Sequence, residues 1–198
     1  MDWLLGSQSV LKPALDVATF LVVVVSAFIA LVNLRRLRAS NQLRALLAIQ
    51  ASFNEADLQR ALGFVQRELP ARLEQAAYRG ELAARGFVEV ERHPELRACN
   101  FFDGLGGMLK CGLIDEEGFM EVFARLSLWY WDRLEGVVAL MRRNRSATEY
   151  HNFEFLAVHA RRWVSRHPHG VFPSDHMRLE VVDPWREQDA VRAERASD

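Results

Sequence analysis

The sequence predicts an all-α protein: a single N-terminal transmembrane helix followed by a cytoplasmic antiparallel helical bundle with an irregular C-terminal tail. Three observations lead to this prediction. An uncharged apolar stretch lies near the N-terminus, apolar residues recur at three- and four-residue steps through most of the chain, and prolines and charges dominate beyond residue 167. A continuous apolar run is typical of a membrane span, whereas the recurring spacing places apolar side chains on one face of a helix.

Length and composition limit the possible classes of protein. The 198 residues are enough for one domain of about 150 residues and an anchor. Half of the residues are hydrophobic and 26% are charged, which is ordinary for a globular chain. The net charge of −1 argues against an obligate nucleic-acid-binding protein, so no nucleic-acid partner is expected. Cys99 and Cys111 would lie roughly 18 Å apart on one helix, too far for a disulfide, and we expect two reduced core thiols.

Residues 13–36 are the predicted transmembrane anchor. From Val17 to Leu34 the chain has eighteen residues without a charge, close to the ~20 needed to cross a bilayer core. A cleaved signal peptide would carry its basic residues before the apolar run. Here most of them follow it: Arg35, Arg36, Arg38 and Arg44. By the positive-inside rule, residues 1–12 would be extracytoplasmic and the C-terminal domain cytoplasmic. We therefore expect a single-pass protein of the bacterial inner (plasma) membrane, contacting the lipid bilayer through residues 13–36.

Residues 37–167 are predicted to form the cytoplasmic helical domain. Ser52 with Glu55, and Ser146 with Glu149, have the spacing of capping boxes, in which the serine and the glutamate each bind a backbone N–H of the first turn. Each pair predicts the start of a helix. The predicted connections between successive helices are short, which favours antiparallel neighbours in a bundle.

Three more helices are predicted between these starts, the first of them over the charged, alanine-rich segment Arg72–Arg85. Pro94 suits the first turn of a helix that runs to about Lys110. Asp115 is the expected cap of the longest helix, which continues to about Arg143. The apolar stripes of three successive helices predict that four side chains meet in one core: Phe102, Phe123, Leu126 and Phe153.

The last part of the chain, residues 168–198, is predicted to be an irregular or partly disordered tail. It contains several prolines and ends in a run of charged residues. Proline lacks a backbone N–H and interrupts helices, so regular structure is not expected across it. Within the tail, Met177–Val182 could form a short extended segment.

The sequence predicts no catalytic residues, no cofactor and no metal. Three glycines lie close together in one predicted helix: Gly104, Gly106 and Gly107. Their spacing fits neither the dinucleotide fingerprint nor the Walker A motif, so we interpret them as positions of close helix packing. A di-iron bundle needs Glu-x-x-His motifs on two helices, whereas this chain offers one reversed pair, His151 and Glu154.

Candidate interaction or lipid-contact residues lie on the longest helix and just beyond it. They are Trp129, Trp131, Arg142, Arg143 and Arg145. Consecutive helical residues point about 100° apart, so one tryptophan is expected inside and the other at a neighbouring element, a subunit contact or the membrane surface. The arginines could bind anionic headgroups. The alternative is a solvated helix end that favours the helix dipole.

Three stretches carry a resemblance to a known family: NFFDGLGGMLKCGLID (Asn100–Asp115), WYWDRL (Trp129–Leu134) and NFEFLA (Asn152–Ala157). Together they resemble a bacterial and phage family of short membrane-anchored proteins whose domain has no assigned function. The resemblance covers about Asn41–Trp163. It implies an N-terminal transmembrane segment and an all-helical domain, and it implies no activity.

The leading functional hypothesis is a non-catalytic, membrane-tethered protein-interaction module or accessory subunit of a membrane complex. Its partner would be another protein or a second copy of the chain. Two alternatives stay open: a membrane-associated effector in a stress or phage-defence system, and a ligand-binding or enzymatic domain at the membrane surface. Genomic neighbours would distinguish the first alternative, and a deep pocket with converging polar groups the second.

Overall fold

The structure is a computed structural model, and it describes residues 20–21, 23–33, 42 and 44–197. All regular secondary structure in these residues is helical, which confirms the all-α prediction. Residues 23–33 and 44–53 are helical. After them come α1 (Ala56–Arg67), α2 (Leu69–Glu74), α3 (Ala76–Leu82), α4 (Glu95–Lys110), α5 (Glu116–Arg143), α6 (His151–Arg166) and α7 (Arg186–Ser197).

The predicted localisation as a single-pass inner-membrane protein is wrong. Within the residues that the structure describes, none of the helices combines the length and the apolar character that a membrane crossing requires. The predicted terminus 1–12 and part of the predicted bilayer contact (13–19, 22 and 34–36) lie outside the described residues.

The centre of the domain is formed by α4, α5 and α6. The α5 and α6 helices are antiparallel: Arg142 near the end of α5 pairs with Glu154 in the first turn of α6, and Glu116 at the start of α5 contacts His159 further along α6. The α4 helix packs along α6 and contacts α1, where Arg97 pairs with Asp57 at 2.6 Å. Antiparallel packing of neighbouring helices is therefore observed for α5 and α6.

Three helix boundaries agree with the sequence prediction. The α4 helix begins after Pro94 and ends at Lys110, and α5 ends at Arg143. The predicted cap of α5 is confirmed, because the Asp115 carboxylate accepts the backbone N–H of Gly118 at 2.8 Å. These ends are set by residues next to them in the sequence, which is why local signals predict them.

Neither predicted capping box forms. The α1 helix begins after Glu55, which makes no side-chain cap, rather than after Ser52. The α6 helix begins at His151, several residues beyond the predicted start at Ser146, whose hydroxyl instead accepts the backbone N–H of Thr148 at 3.1 Å. A side chain from another helix caps α6, as described below.

The predicted core is correct at two of its four positions. The rings of Phe102 and Phe153 are both fully buried and stack with centroids 5.0 Å apart. Phe123 and Leu126 are partly buried and pack against the outside of the core. The two-thiol expectation also needs correction: Cys99 is buried but Cys111 is exposed, because it follows the last turn of α4.

Residues His169–Asp198 form a second compact unit. Its first part has no regular secondary structure up to residue 183, and Arg186–Ser197 forms α7. The sequence analysis did not predict this last helix. Large apolar side chains of the unit are exposed, most of all Met177, Leu179 and Val181.

Candidate functional site

A buried polar cluster lies where the loop between α3 and α4 meets both helices. We call it the His93 cluster; its members are Tyr78, Glu81, His93 and Glu95. His93 is 1% exposed and Glu95 is fully buried. Buried carboxylates are rare unless they are paired, so the partners of Glu95 decide what this cluster can do.

Every polar atom of the Glu95 carboxylate has a partner. The Tyr78 hydroxyl lies 2.7 Å from both of its oxygens, and His93 Nδ1 lies 3.0 Å from Oε1. The other ring nitrogen of His93, Nε2, lies 3.1 Å from Glu81 Oε2. For both imidazole contacts to be hydrogen bonds, the two carboxylates and the ring must share two protons between them. Burial, followed by the contact with Glu95, raises the pKa of the Tyr78 phenol, which therefore stays protonated and donates.

An imidazole oriented by a buried carboxylate is an arrangement used for general base catalysis. The geometry here does not offer that chemistry to a substrate. The adjoining cavity of about 280 Å³ is open, but the His93 side chain is 2% exposed and Nε2 already contacts Glu81. Among the residues that the structure describes, no group of three potential ligands could hold a metal. The cluster joins the α3–α4 loop to α3 and to the start of α4.

A second polar arrangement joins α4 to α6. We call it the Asp103 clamp; it consists of Asp103, Gly106, Asn152 and the backbone N–H of Phe153. One carboxylate oxygen of Asp103 accepts the backbone N–H groups of Asn152 and Phe153, each at 3.0 Å. The other oxygen accepts the Asn152 side-chain amide at 3.2 Å. These donors belong to the first turn of α6, where backbone N–H groups have no partner within the helix.

Gly106 allows the two helices of the clamp to approach closely. A Cβ atom at this position would lie 2.0 Å from the backbone oxygen of Asn152. At Gly104 it would meet nothing within 4 Å, and at Gly107 it would make an ordinary contact. The interpretation of these glycines as packing positions is therefore correct for Gly106, whereas Gly104 contributes no close approach.

The residue before α6 has an unusual backbone. Tyr150 has φ of 54°, in the left-handed region that side chains other than glycine rarely adopt. This conformation places Asn152 and Phe153 against Asp103 instead of continuing the preceding turn. Burial is also the main reason that the pKa of Tyr150 is raised.

Both candidate tryptophans are half-buried rather than divided between inside and outside. Trp131 meets the buried Phe153 ring edge-on, with centroids 5.0 Å apart. Trp129 packs at the edge of the core and carries the Arg133 guanidinium 3.3 Å from its ring centroid. Each ring thus has intramolecular partners and is also partly exposed.

The candidate arginines have different surroundings. Arg142 donates to the backbone oxygen of Glu149 at 2.8 Å and pairs with Glu154. Arg145 donates to the backbone oxygen of Ala84 at 2.8 Å, which joins the end of α5 to the loop after α3. Arg143 is exposed. The structure therefore does not bring these three arginines together as one free basic surface.

The sequence analysis missed the His93 cluster and the Asp103 clamp. The segment His93-Pro94-Glu95 contained a usable signal, because a glutamate in the first turn of a helix favours the helix dipole. Its burial, however, depends on Tyr78 of another helix. Asp103 and Asn152 appeared in the sequence analysis only within the stretches that resemble the family, and no role was assigned to them.

Comparison with protein families gives one match, over residues 20–163. The chain belongs to the family described as domain of unknown function DUF4760. This confirms the resemblance to a family whose domain has no assigned function; its bacterial or phage origin stays a prediction. No curated protein and no solved structure matches the chain.

The DUF4760 match includes both polar arrangements. The His93 cluster and the Asp103 clamp lie within residues 20–163, as do Trp129 and Trp131. The match ends inside α6, so the unit from His169 onward lies outside it. The DUF4760 match thus covers the helical domain up to Trp163 of α6.

Proposed function

We propose that this DUF4760 chain is a non-catalytic protein-interaction module. The helical domain acts as a rigid support in this proposal, and exposed apolar residues outside its core contact the partner. The proposal keeps the interaction role expected from the sequence, without the membrane anchor.

Two features of the helical domain support a structural rather than a catalytic role. In the His93 cluster, His93 and Glu95 contact each other and are closed to solvent, and the second ring nitrogen of His93 already contacts Glu81. In the Asp103 clamp, the carboxylate is occupied by three donors from α6. Groups that are already paired and buried stabilise a fold, and a substrate would have to break these contacts before it could use them.

The observation that carries the proposal is the exposure of apolar side chains in the C-terminal unit. Met177, Leu179 and Val181 are 93%, 90% and 92% exposed, and Trp185 is 65% exposed. Large apolar side chains grouped on a surface mark protein-interaction sites in soluble domains. Isolated exposed residues such as Val122 on α5 are normal and need no such explanation.

The experiment is affinity capture of the tagged full chain from its own cells, with quantification of retained proteins. The test variant is Leu179→Ser with Val181→Ser, and the matched control is Val122→Ser, which removes an exposed valine from the helical domain. Because all three positions are exposed, we expect unchanged melting temperatures. We also expect the test variant, and not the control, to lose at least one retained protein.

Retention of the same proteins at the same levels by both variants would contradict the proposal, as would retention of nothing beyond a tag-only sample. Self-association is excluded from this comparison, since only proteins other than the tagged chain are counted. The result therefore addresses the interaction role by itself.

A further inference from the structure

Residues 177–182 have the side-chain pattern of a β-strand without a partner. Apolar Met177, Leu179 and Val181 alternate with Arg178 and Glu180. Alternation with a period of two places the apolar side chains on one face of an extended strand. The segment adopts neither helix nor strand, and within the part of the chain that the structure describes no backbone hydrogen bond joins residues 177–182 to another backbone group.

The described part of the chain cannot supply the missing strand, because its regular structure is entirely helical. Pro173 and Pro184 limit the segment on both sides, since proline cannot donate to a strand ladder. The existing contacts of the segment are slight. Arg178 donates to the backbone oxygen of His169 at 3.4 Å and lies 4.9 Å from the ring of Phe172.

We propose that residues 177–181 pair antiparallel with the same residues of a second copy of the chain. Leu179 would face Leu179 of that copy on the two-fold axis. The proposal goes beyond the interaction role above: it gives the same exposed segment a second copy of the chain as a partner, in addition to other proteins.

The charges of the segment select this register. With Leu179 opposite itself, Arg178 lies opposite Glu180 in both directions, and Met177 lies opposite Val181. A shift of two positions would place Arg178 opposite Arg178, or Glu180 opposite Glu180, and like charges across strands are unfavourable. A shift of one position would place charged residues opposite apolar ones. The segment is therefore complementary to itself in one arrangement, which favours a second copy over an unrelated sheet edge.

The resulting dimer is weak, because a ribbon of two short strands is only marginally stable. Sedimentation equilibrium of the purified full chain, up to about 1 mM, measures it. Arg178→Glu creates two like-charge pairs in the dimer, and so does Glu180→Arg. We expect each change to weaken association about tenfold, and the double variant, in which the charges are exchanged, to restore it.

A disulfide trap tests the register independently. Cys111→Ser removes the exposed native thiol. In that background, Leu179→Cys places two thiols opposite each other, where paired strands are within disulfide distance. Met177→Cys is the matched control: it is equally exposed, but its twin lies roughly 14 Å away, since each residue advances about 3.4 Å. We expect dimers to form about tenfold faster for Leu179→Cys, and fast formation to return when Met177→Cys is combined with Val181→Cys.

Each outcome decides the proposal. Loss of association with either single charge reversal and its recovery in the double variant supports self-pairing. A chain that stays monomeric at every concentration overturns it. A dimer whose affinity is unchanged by the charge reversals also overturns it, and so do equal rates of disulfide formation at positions 177 and 179. None of these results changes the outcome of the affinity-capture experiment, because that experiment counts only other proteins. Self-pairing can therefore be disproved while the interaction role is supported.

Discussion

The carboxylate of Asp103 caps the helix that begins beside Asn152, although the two residues are 49 positions apart. Helix N-termini are usually capped by a residue immediately before the first turn. In this chain the local candidate, Ser146, is bypassed, and Tyr150 adopts a left-handed conformation at the junction. The start of α6 is therefore decided by its packing on α4.

Removing this cap is the first test. We expect Asp103→Ala to lower the free energy of unfolding by about 1–2 kcal/mol, because two backbone N–H groups of α6 lose their acceptor. Urea unfolding followed by circular dichroism measures the change. The control is Asn100→Ala, an exposed position on the same helix. Equal midpoints for the two variants would show that the clamp contributes nothing to stability.

Alanine substitutions at two glycines of α4 are expected to change the stability in opposite directions. Gly106→Ala introduces a Cβ that would lie 2.0 Å from the Asn152 backbone oxygen, so the helices must separate. We expect a loss of about 1–3 kcal/mol or more. Gly104→Ala meets no atom within 4 Å and replaces glycine in a helix, which should stabilise by about 0.5–1 kcal/mol. Thermal melts of the two variants should shift in opposite directions; shifts of the same sign would refute the assignment.

These cases show which parts of the fold can be read from the sequence. The extents of α4 and α5 follow from local signals, namely Pro94, Asp115 and the apolar periodicity. The start of α6 cannot be predicted from local signals. Its cap is Asp103, and local sequence patterns do not predict a contact between residues 49 positions apart. The apolar run near the N-terminus was interpreted as a span from hydropathy, whereas none of the described helices is both long and apolar enough to cross a membrane.

The candidate site was less predictable than the fold. Burial of Glu95 depends on Tyr78, which reaches it from α3, and α3 is separated from it by an irregular loop. Arginines 142 and 145 looked like a free basic cluster because sequence spacing does not show that each already has a backbone carbonyl as partner.

The His93 cluster predicts unequal roles for its two glutamates. Glu95→Ala removes a buried partner and leaves His93 and Tyr78 without their acceptor, so we expect a loss of about 3–5 kcal/mol. Glu81→Ala removes a carboxylate whose side chain is 42% exposed, and its contact with His93 can be replaced by water. We expect less than about 1 kcal/mol for that change. Denaturant midpoints compare them, and similar losses for the two would mean that Glu95 is not a buried anchor.

All three tyrosines of the chain should resist ionisation while it is folded. Burial is the first cause that raises the pKa of Tyr78, Tyr130 and Tyr150 above the ordinary value of 10.0. A raised pKa in the folded state means that the protonated phenols stabilise the fold fully below pH 10.0, and that this stability is lost as the pH rises further.

Tyrosinate absorbance checks this pH dependence. In the native chain it should appear at a higher pH than in the unfolded chain, because the pKa of each tyrosine is raised by burial. The urea-unfolded chain should titrate near the ordinary phenol value, about 10, and serves as the control. A native chain that ionises its tyrosines near that value, with its helices intact, contradicts the burial described for these rings.

The long separation within the Asp103 clamp also has a consequence for synthesis. A ribosome that adds about 5–20 residues per second needs roughly 2–10 s to travel the 49 positions from Asp103 to Asn152. During that time the face of α4 that carries Phe102 and Gly106 has no α6 to cover it. The nascent chain therefore exposes this apolar surface to chaperones until its last core helix leaves the ribosomal exit tunnel.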